Sequence, residues 1–355
     1  MSWLMILLTY KYLLLKAFLV GLFSLFTISY VFGLESIRWK VQSGFVGEDI
    51  EGPIKKMFEN IKTISDGKIK FRYYRSNSIV PNNELWSGVI EGNLDCAFAS
   101  SVFNANKIPA LMFFTAIPFG PRLIEYKAWM QYGGGQAIKD KIYKQNGLHS
   151  IDCMTIPPES GGWFKKRIKS LKDLNGMRMR VYPGYGSYVF EKFGIQTKQV
   201  GLRDIMKEFD KGFIDAAEFS IPSWDLWLGL QKVAKYNYYP GWYQPTTIHE
   251  LIINKKKWDG ISSAAKLIIT TACESLLIKS AIRFSSMQPK AMEELKKQGT
   301  TFVSWKDSEL QELEKAWSVI ADEESAKDPL FAEVYKSYKS FRDQYAIWGD
   351  RAYLK

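Results

Sequence analysis

The stretch IRWKVQSGFVGEDIEGPIKKMFENIKTISDGKIKFRYY, residues 37–74, decides the fold class. Ile37, Trp39 and Val41 alternate with Arg38 and Lys40, the period-two pattern of a strand with one face turned inward. Ser43 to Gly47 reads as a loop, and a helix follows near Ile50 to Thr63. Asp66-Gly67 marks a turn, after which Lys68 to Tyr74 is a second strand. A helix over Asn83 to Glu91 and a third strand over Leu94 to Ala99 extend the series to strand–helix–strand–helix–strand. That order implies right-handed crossovers and a largely parallel sheet, so the chain is of the α/β class. Open α/β sheets bind ligands outside the carboxyl ends of their strands. Ser43 to Gly47 and Ser100 to Asn104 fall at such ends.

Further along, Tyr126 to Asn146 is helical around Gly133-Gly134-Gly135. The three glycines follow no strand and lack the Lys-Ser/Thr of a phosphate loop, so they read as a helix break. Strands are expected at Leu148 to Thr155, Met177 to Val181, Ala216 to Phe219 and Glu250 to Asn254. Helices are expected at Ser187 to Phe193 and Arg203 to Lys211. The last hundred residues are mostly helical: Ser262 to Met287, Pro289 to Gln298, Asp307 to Ser325 and Pro329 to Tyr345. The first of these would be about 39 Å long, enough to lie across two lobes.

At 355 residues, 46% hydrophobic and 15% aromatic, the chain is long and apolar enough for two cores. Lys11 and Lys16 precede the apolar run Ala17 to Phe32, and no acid occurs before Glu35. Residues 1–33 therefore read as a secretory signal peptide, with an uncleaved membrane anchor as the rival. Either reading puts the folded part outside the cytoplasmic membrane. The formal charge of +11 is spread without a block of basic residues, and no nucleic-acid partner is inferred. Cys96, Cys153 and Cys273 leave at least one free thiol, and the expectation is that all three act as small buried hydrophobes rather than forming a bridge. His149 and His249 sit in no metal-ligand spacing.

The residues that suit chemistry lie between Glu159 and Pro245. In Met177 to Val181 the methionines share one strand face and Arg178 and Arg180 the other. Arg180 stands nearer the carboxyl end, where a guanidinium fork can take a carboxylate bidentately. Glu218 follows two alanines, and an acid in so apolar a setting needs a cation or a donor. The segment PGWYQP, residues 240–245, offers Trp242 as a rigid wall and Gln244 as an amide able to face a cation or an acceptor.

These motifs carry a resemblance. The chain resembles the extracytoplasmic solute receptors of TRAP transporters, the DctP-like family, over its whole mature length. The carrying segments are SGFVGED (43–49), ELWSGVIEGNLDCAF (84–98), TAIPFG (115–120), GGWFKKRIKSLKDLNGMRMRV (161–181), FDKGFIDAAEFSIP (209–222) and KYNYYPGWYQP (235–245). It is most similar to the branch that binds 2-oxo or 2-hydroxy monocarboxylates together with a cation. The resemblance implies a two-lobed periplasmic binding protein fold with a mixed, mostly parallel sheet in each lobe and the ligand between them. It also implies a long bridging helix and a helical C-terminal region. Residues 34–158 and 246–288 would form one lobe, and 159–245 and 289–355 the other.

It further implies that Arg180 pairs with the ligand carboxylate, and that Glu159, Glu218, Phe219 (through its main-chain oxygen) and Gln244 surround Na⁺ or Ca²⁺. Glu159, Phe219, Trp242 and Asn104 would also face the ligand. Two departures are opposite in sign. The branch reads Gln, Glu, Glu where this chain reads Glu159, Glu218, Gln244, so the swap keeps two carboxylates and one amide. The branch has Trp where this chain has Phe219, and a Tyr-rich run where it has Ser101-Val102-Phe103-Asn104, with Asn104 as the candidate replacement for a lost hydroxyl contact. The implied partners are a small organic carboxylate and the large and small TRAP permease subunits, with a homodimer as a possible assembly. The competing enzyme reading takes Glu159 and Glu218 as an acid/base pair, but no nucleophile–base arrangement accompanies them.

Overall fold

The structure is a computed structural model that describes residues 34–352; the expected signal peptide lies outside the described residues. The chain opens with β1 (Ile37–Ser43), α1 (Glu48–Ile64), β2 (Ile69–Tyr74), α2 (Leu85–Ile90) and β3 (Cys96–Ala99). Then come α3 (Leu123–Tyr132), α4 (Gly135–Gln145) and β4 (Leu148–Ile156). The middle third holds β5 (Trp163–Phe164), β6 (Arg178–Arg180), α5 (Tyr185–Lys192), β7 (Gln196–Lys198), α6 (Ile205–Asp210), β8 (Ala216–Ala217), α7 (Pro222–Leu228) and β9 (Tyr236–Tyr239). The chain continues through β10 (Thr247–Asn254), α8 (Lys255–Asp259), α9 (Ser263–Lys297), β11 (Thr301–Ser304), α10 (Asp307–Lys327) and α11 (Pro329–Ala352).

Two sheets result. The first has the order β2-β1-β3-β10-β4 and the second β11-β9-β5-β8-β6-β7. In the first, β1 runs parallel to β2 and β3, while β10 is antiparallel to β3 and β4. In the second, β6 is parallel to β7 and β8, β9 is parallel to β11, and β5 is antiparallel to both its neighbours. The strand–helix–strand reading of residues 37–99 is what the structure contains. The strands β5, β7, β9 and β11, each of two to four residues, are not among those expected from the sequence.

The chain leaves the first sheet after β4, builds most of the second, and returns as β10. The two crossings run side by side: the Glu159 amide donates to the Gln244 carbonyl at 3.3 Å, and the Gly161 amide to the Tyr238 carbonyl at 2.5 Å. Gly241 permits this approach, because a Cβ there would collide with the main-chain oxygens of Glu159 and Ser160.

The long helix α9 ties the lobes together. Its first half lies under β4, where Cys273 forms a disulfide with Cys153 and the Ser280 hydroxyl accepts from the Thr155 amide at 3.0 Å. Its second half reaches α7, where Gln288 exchanges hydrogen bonds with Ser223 at 3.0 and 3.2 Å. The sequence reading broke this helix at Pro289, yet it runs 35 residues without interruption. Proline forfeits one amide hydrogen bond, but its ring here is exposed, so it meets no neighbouring element.

The bridge corrects the expectation of three unpaired cysteines. The packing of α9 on β4 juxtaposes residues 120 apart in sequence, a meeting that no local pattern announces; only Cys96 stays free and buried. α10 packs on α5 through Tyr185 and Trp317, ring centroids 5.3 Å apart. α11, expected with the second lobe, packs on α5 and α10 through Tyr185–Phe331 at 5.3 Å and Trp317–Tyr335 at 6.3 Å, and also on α3 and Phe113, with Trp129–Tyr338 at 5.4 Å and Phe113–Phe331 at 5.0 Å.

A disulfide closing a loop of this length is expected to contribute about 2–5 kcal/mol, largely by restricting the unfolded chain. Urea unfolding of the Cys153→Ala/Cys273→Ala double variant is therefore expected to show a lower midpoint than the oxidised protein. Coincident curves would show the bridge to be energetically idle.

Candidate functional site

Arg180 and Glu218 meet because they leave adjacent strands at the same end. β6 and β8 are parallel with Arg180 opposite Ala217, so Glu218 emerges beside Arg180. The Glu218 amide donates to the Arg180 carbonyl at 3.0 Å. Arg180 Nη1 donates to the Glu218 carbonyl at 2.5 Å and to Oε1 at 3.0 Å, and Nε reaches the Val200 carbonyl at 3.3 Å. The Tyr182 amide also donates to Oε1. Nη2 has no partner among the described residues. The guanidinium stands 5.8 Å from the Phe219 ring centroid. Arg178 serves a different purpose, forming a half-exposed pair with Asp215 at 2.9 Å.

A cleft of about 860 Å³ opens here between the lobes. Glu159, Arg180, Phe219 and Gln244 all line it, and Glu218 lines a small recess that shares Tyr182 and Gln244 with the cleft. Glu159 is 4% exposed and Glu218 1%. Glu159 Oε1 is 3.5 Å from the Ser220 hydroxyl, while its Oε2, like Glu218 Oε2, is buried without a hydrogen bond. Burial pushes the Glu159 carboxyl well above its usual range, and the charge of Glu218 adds to the rise. Burial likewise lifts Glu218 to about 7, although Arg180 and the Tyr182 amide oppose it.

Beneath them Asp225 is fully buried and accepts from Trp163 Nε1 at 2.8 Å, the Ser220 amide at 3.0 Å and the Ser160 hydroxyl at 3.3 Å. It ties the segment that follows Glu159 to the one that follows Glu218. Burial raises it to about 8.

One guanidinium thus faces two carboxylates, and each acid has an unengaged oxygen. A hard cation with oxygen ligands fits that deficit. Among the described residues no three His, Cys, Asp or Glu side chains are arranged to hold a metal. A cation here would draw on Glu159, Glu218 and neutral oxygens, of which Gln244 is one: its amide nitrogen already donates to Thr247 Oγ1 at 3.2 Å, which leaves its carbonyl oxygen to face the cleft.

Two expected ligand contacts lie elsewhere. Asn104 is buried in a short helical turn over Ser101–Asn104 and does not line the cleft; its neighbour Phe103 does. Trp242 is also away from the cleft, stacked on Phe119 with centroids 5.3 Å apart and edge-on to Phe190 at 4.9 Å. It props the loop from behind. Sequence reasoning did not single out Tyr182, Ser220, Trp224, Trp227 and His249, which all line the cleft. Ser220 and Tyr182 stand within two residues of singled-out positions, which is the one signal that could have flagged them.

A two-lobed α/β chain with a buried carboxylate-facing arginine in its cleft defines a solute-binding protein. Residues 47–328 match the family described as bacterial extracellular solute-binding protein, family 7 (DctP), and the chain belongs to that family. It is a receptor for transport rather than an enzyme. A monocarboxylate 2-oxoacid-binding periplasmic protein of Nostoc sp. is 30% identical over 324 residues, covering 89% of this chain and 87% of the relative. Among solved structures, a TRAP solute-binding protein of Colwellia psychrerythraea with bound calcium and pyruvate superposes with a TM-score of 0.84 at 29% identity, over 90% of this chain and 99% of that one. One of Bordetella bronchiseptica with calcium and picolinate gives 0.84 at 29% identity, over 90% and 95%. One of Pseudoalteromonas atlantica with sodium and pyruvate gives 0.83 at 26% identity, over 90% and 97%.

In the cation-free protein, Glu218 and Asp225 keep protons to about pH 7 and 8 that the unfolded chain releases near 4.5 and 3.8. Their contribution to stability is full below those unfolded values and is lost as pH rises through the folded ones. Desolvation holds His149 near 4 and His249 near 3, which acts in the opposite sense, but only below their ordinary value of 6.5. Between pH 6.5 and 8 the raised carboxyls act alone. Chelator-treated protein is expected to lose up to about 1.4 kcal/mol per pH unit for each proton released, and calcium is expected to flatten that slope. Thermal unfolding at stepped pH, with chelator or with calcium, checks this; equal slopes would remove Glu218 from a cation site.

Proposed function

We propose that this protein is the extracytoplasmic receptor of a TRAP-type secondary transporter. It captures a 2-oxo or 2-hydroxy monocarboxylate together with Na⁺ or Ca²⁺ and delivers it to the large and small membrane permease subunits. The observation that carries this reading is Arg180: a buried guanidinium at a strand end with Nη2 unengaged, beside two carboxylates that each leave an oxygen unpaired. In this reading Nη2 takes the ligand carboxylate. Glu159, Glu218, Gln244 and the Phe219 main chain hold the cation, which supplies the positive charge that Arg180 alone does not. The ligands named for the Colwellia, Bordetella and Pseudoalteromonas proteins support both halves of the reading.

Residues 34–158 with 246–288, and 159–245 with 289–355, would move as two lobes about the paired crossings near Glu159 and Gln244. Closure of two lobes over a ligand is an established hinge motion. A periplasmic location with removal of residues 1–33 accords with the family description and with a disulfide, which persists in oxidising compartments. A homodimer is proposed on the support that the Bordetella structure is described as a dimer.

A thermal-shift series of 2-oxo and 2-hydroxy acids, each with sodium, calcium or chelator, tests the function. At least one acid is expected to stabilise the protein, and only when a cation is present. Arg180→Lys keeps the charge but loses the planar fork, and is expected to weaken that acid at least about tenfold (about 1.4 kcal/mol). An undiminished ligand shift in the lysine variant would exclude Arg180 as the carboxylate partner.

A further inference from the structure

Every polar group assigned so far lies on the second lobe or on the crossings. A ligand held by those groups alone would gain nothing from the first lobe and would not favour the closed state, since a population shifts only by a difference in affinity. We infer that His249, on the first lobe, supplies that difference: its imidazole donates a hydrogen bond from Nε2 to an oxygen of the bound anion. This inference rests on the carboxylate-binding reading above.

His249 belongs to β10, between β3 and β4, and the strand shifts register between His249 and Glu250. Glu250 turns to the buried Lys139, 2.9 Å away, and to the hydroxyls of Tyr143 and Ser150, each at 2.5 Å. His249 turns to the cleft, which it lines together with Arg180 and Glu159. Its ring packs on Phe45 with centroids 4.2 Å apart, and it is only 5% exposed. No described residue hydrogen-bonds to either ring nitrogen, and Nδ1 is sealed from solvent without a partner. An orphaned buried acceptor is less costly than an orphaned buried N–H. The proton therefore sits on Nε2, the nitrogen that keeps access to the cleft, and Nδ1 carries the lone pair. Desolvation depresses the pKa to about 3, in keeping with a neutral ring that acts as a donor without adding charge. The class of ligand implied is an anion with an acceptor oxygen directed at the first lobe, either the second carboxylate oxygen or the oxygen on carbon two.

The test is calorimetric titration of 2-oxobutyrate and of butyrate into the calcium-loaded protein, its His249→Phe variant and its His249→Gln variant, with the apo melting temperature of each. His249→Phe is expected to lose about 10- to 100-fold in affinity for 2-oxobutyrate, the cost of one hydrogen bond to a charged or polarised acceptor. Its apo melting temperature is expected to stay level or rise, because the phenyl ring removes an orphaned nitrogen. His249→Gln restores a donor and is expected to recover part of the affinity. A loss shared by butyrate assigns the bond to the carboxylate; a loss confined to 2-oxobutyrate assigns it to the oxygen on carbon two. Unchanged affinity of His249→Phe beside a wild type that binds overturns this inference alone. So does a loss that comes with a lower melting temperature and no recovery in His249→Gln. A wild type that binds neither these acids nor any 2-oxo or 2-hydroxy acid of the thermal-shift series, with calcium or sodium, overturns the reading of the cleft itself.

Discussion

Two carboxylates and one guanidinium share a site from which water is nearly excluded, and much of the architecture follows from that imbalance. Taking an ionised carboxylate out of water costs several kcal/mol even after relaxation. Arg180 offsets the cost for Glu218, which it touches at 3.0 Å. Glu159 has only a hydroxyl at 3.5 Å, and the negative charge of Glu218 works against it. Left alone, the pair answers by holding protons at neutral pH. With a cation between them, as proposed above, both would ionise and the unpaired oxygens would find a partner. In that reading the cation completes the site and is as much a part of the binding chemistry as Arg180.

The topology keeps these groups in register. Glu159 and Gln244 stand on the two crossings, joined by a main-chain hydrogen bond. Arg180 and Glu218 leave neighbouring strands of the second sheet. His249 and Phe45 belong to the first sheet and its edge loop. α9 runs behind both lobes, fixed to β4 by the disulfide and to α7 by Gln288. A ligand that touches Arg180, the crossings and His249 at once would report its presence to all three parts.

The legible portion of this account follows from how local each signal is. Residues 37–99 announce their strands and helices because each spans enough residues to display its period. Arg180 and Glu218 were legible because alternation and small neighbours marked their strands. The Cys153–Cys273 bridge and the continuity of α9 through Pro289 depend on contacts between segments distant in sequence, and a linear reading supplies none of these. Asn104 rests on analogy of position and Trp242 on its rigid aromatic ring, and both turn into the core: the turn over Ser101–Asn104 aims Phe103 at the cleft instead, and Trp242 is claimed by the ring of Phe119. His249 was set aside because its spacing suits no metal, which is a different question from whether it faces the ligand.

The central claim is that the exchanged Glu159 and Gln244 positions, with Glu218, still form a cation site that the ligand shares with Arg180. Anomalous diffraction from crystals grown with calcium and pyruvate tests it most directly. The account predicts a single strong anomalous peak in the cleft, contacted by Glu159, Glu218 and Gln244, with the pyruvate carboxylate on Arg180. Pyruvate bound at Arg180 with no peak, and a protonated Glu159 donating to the ligand in its place, would contradict it.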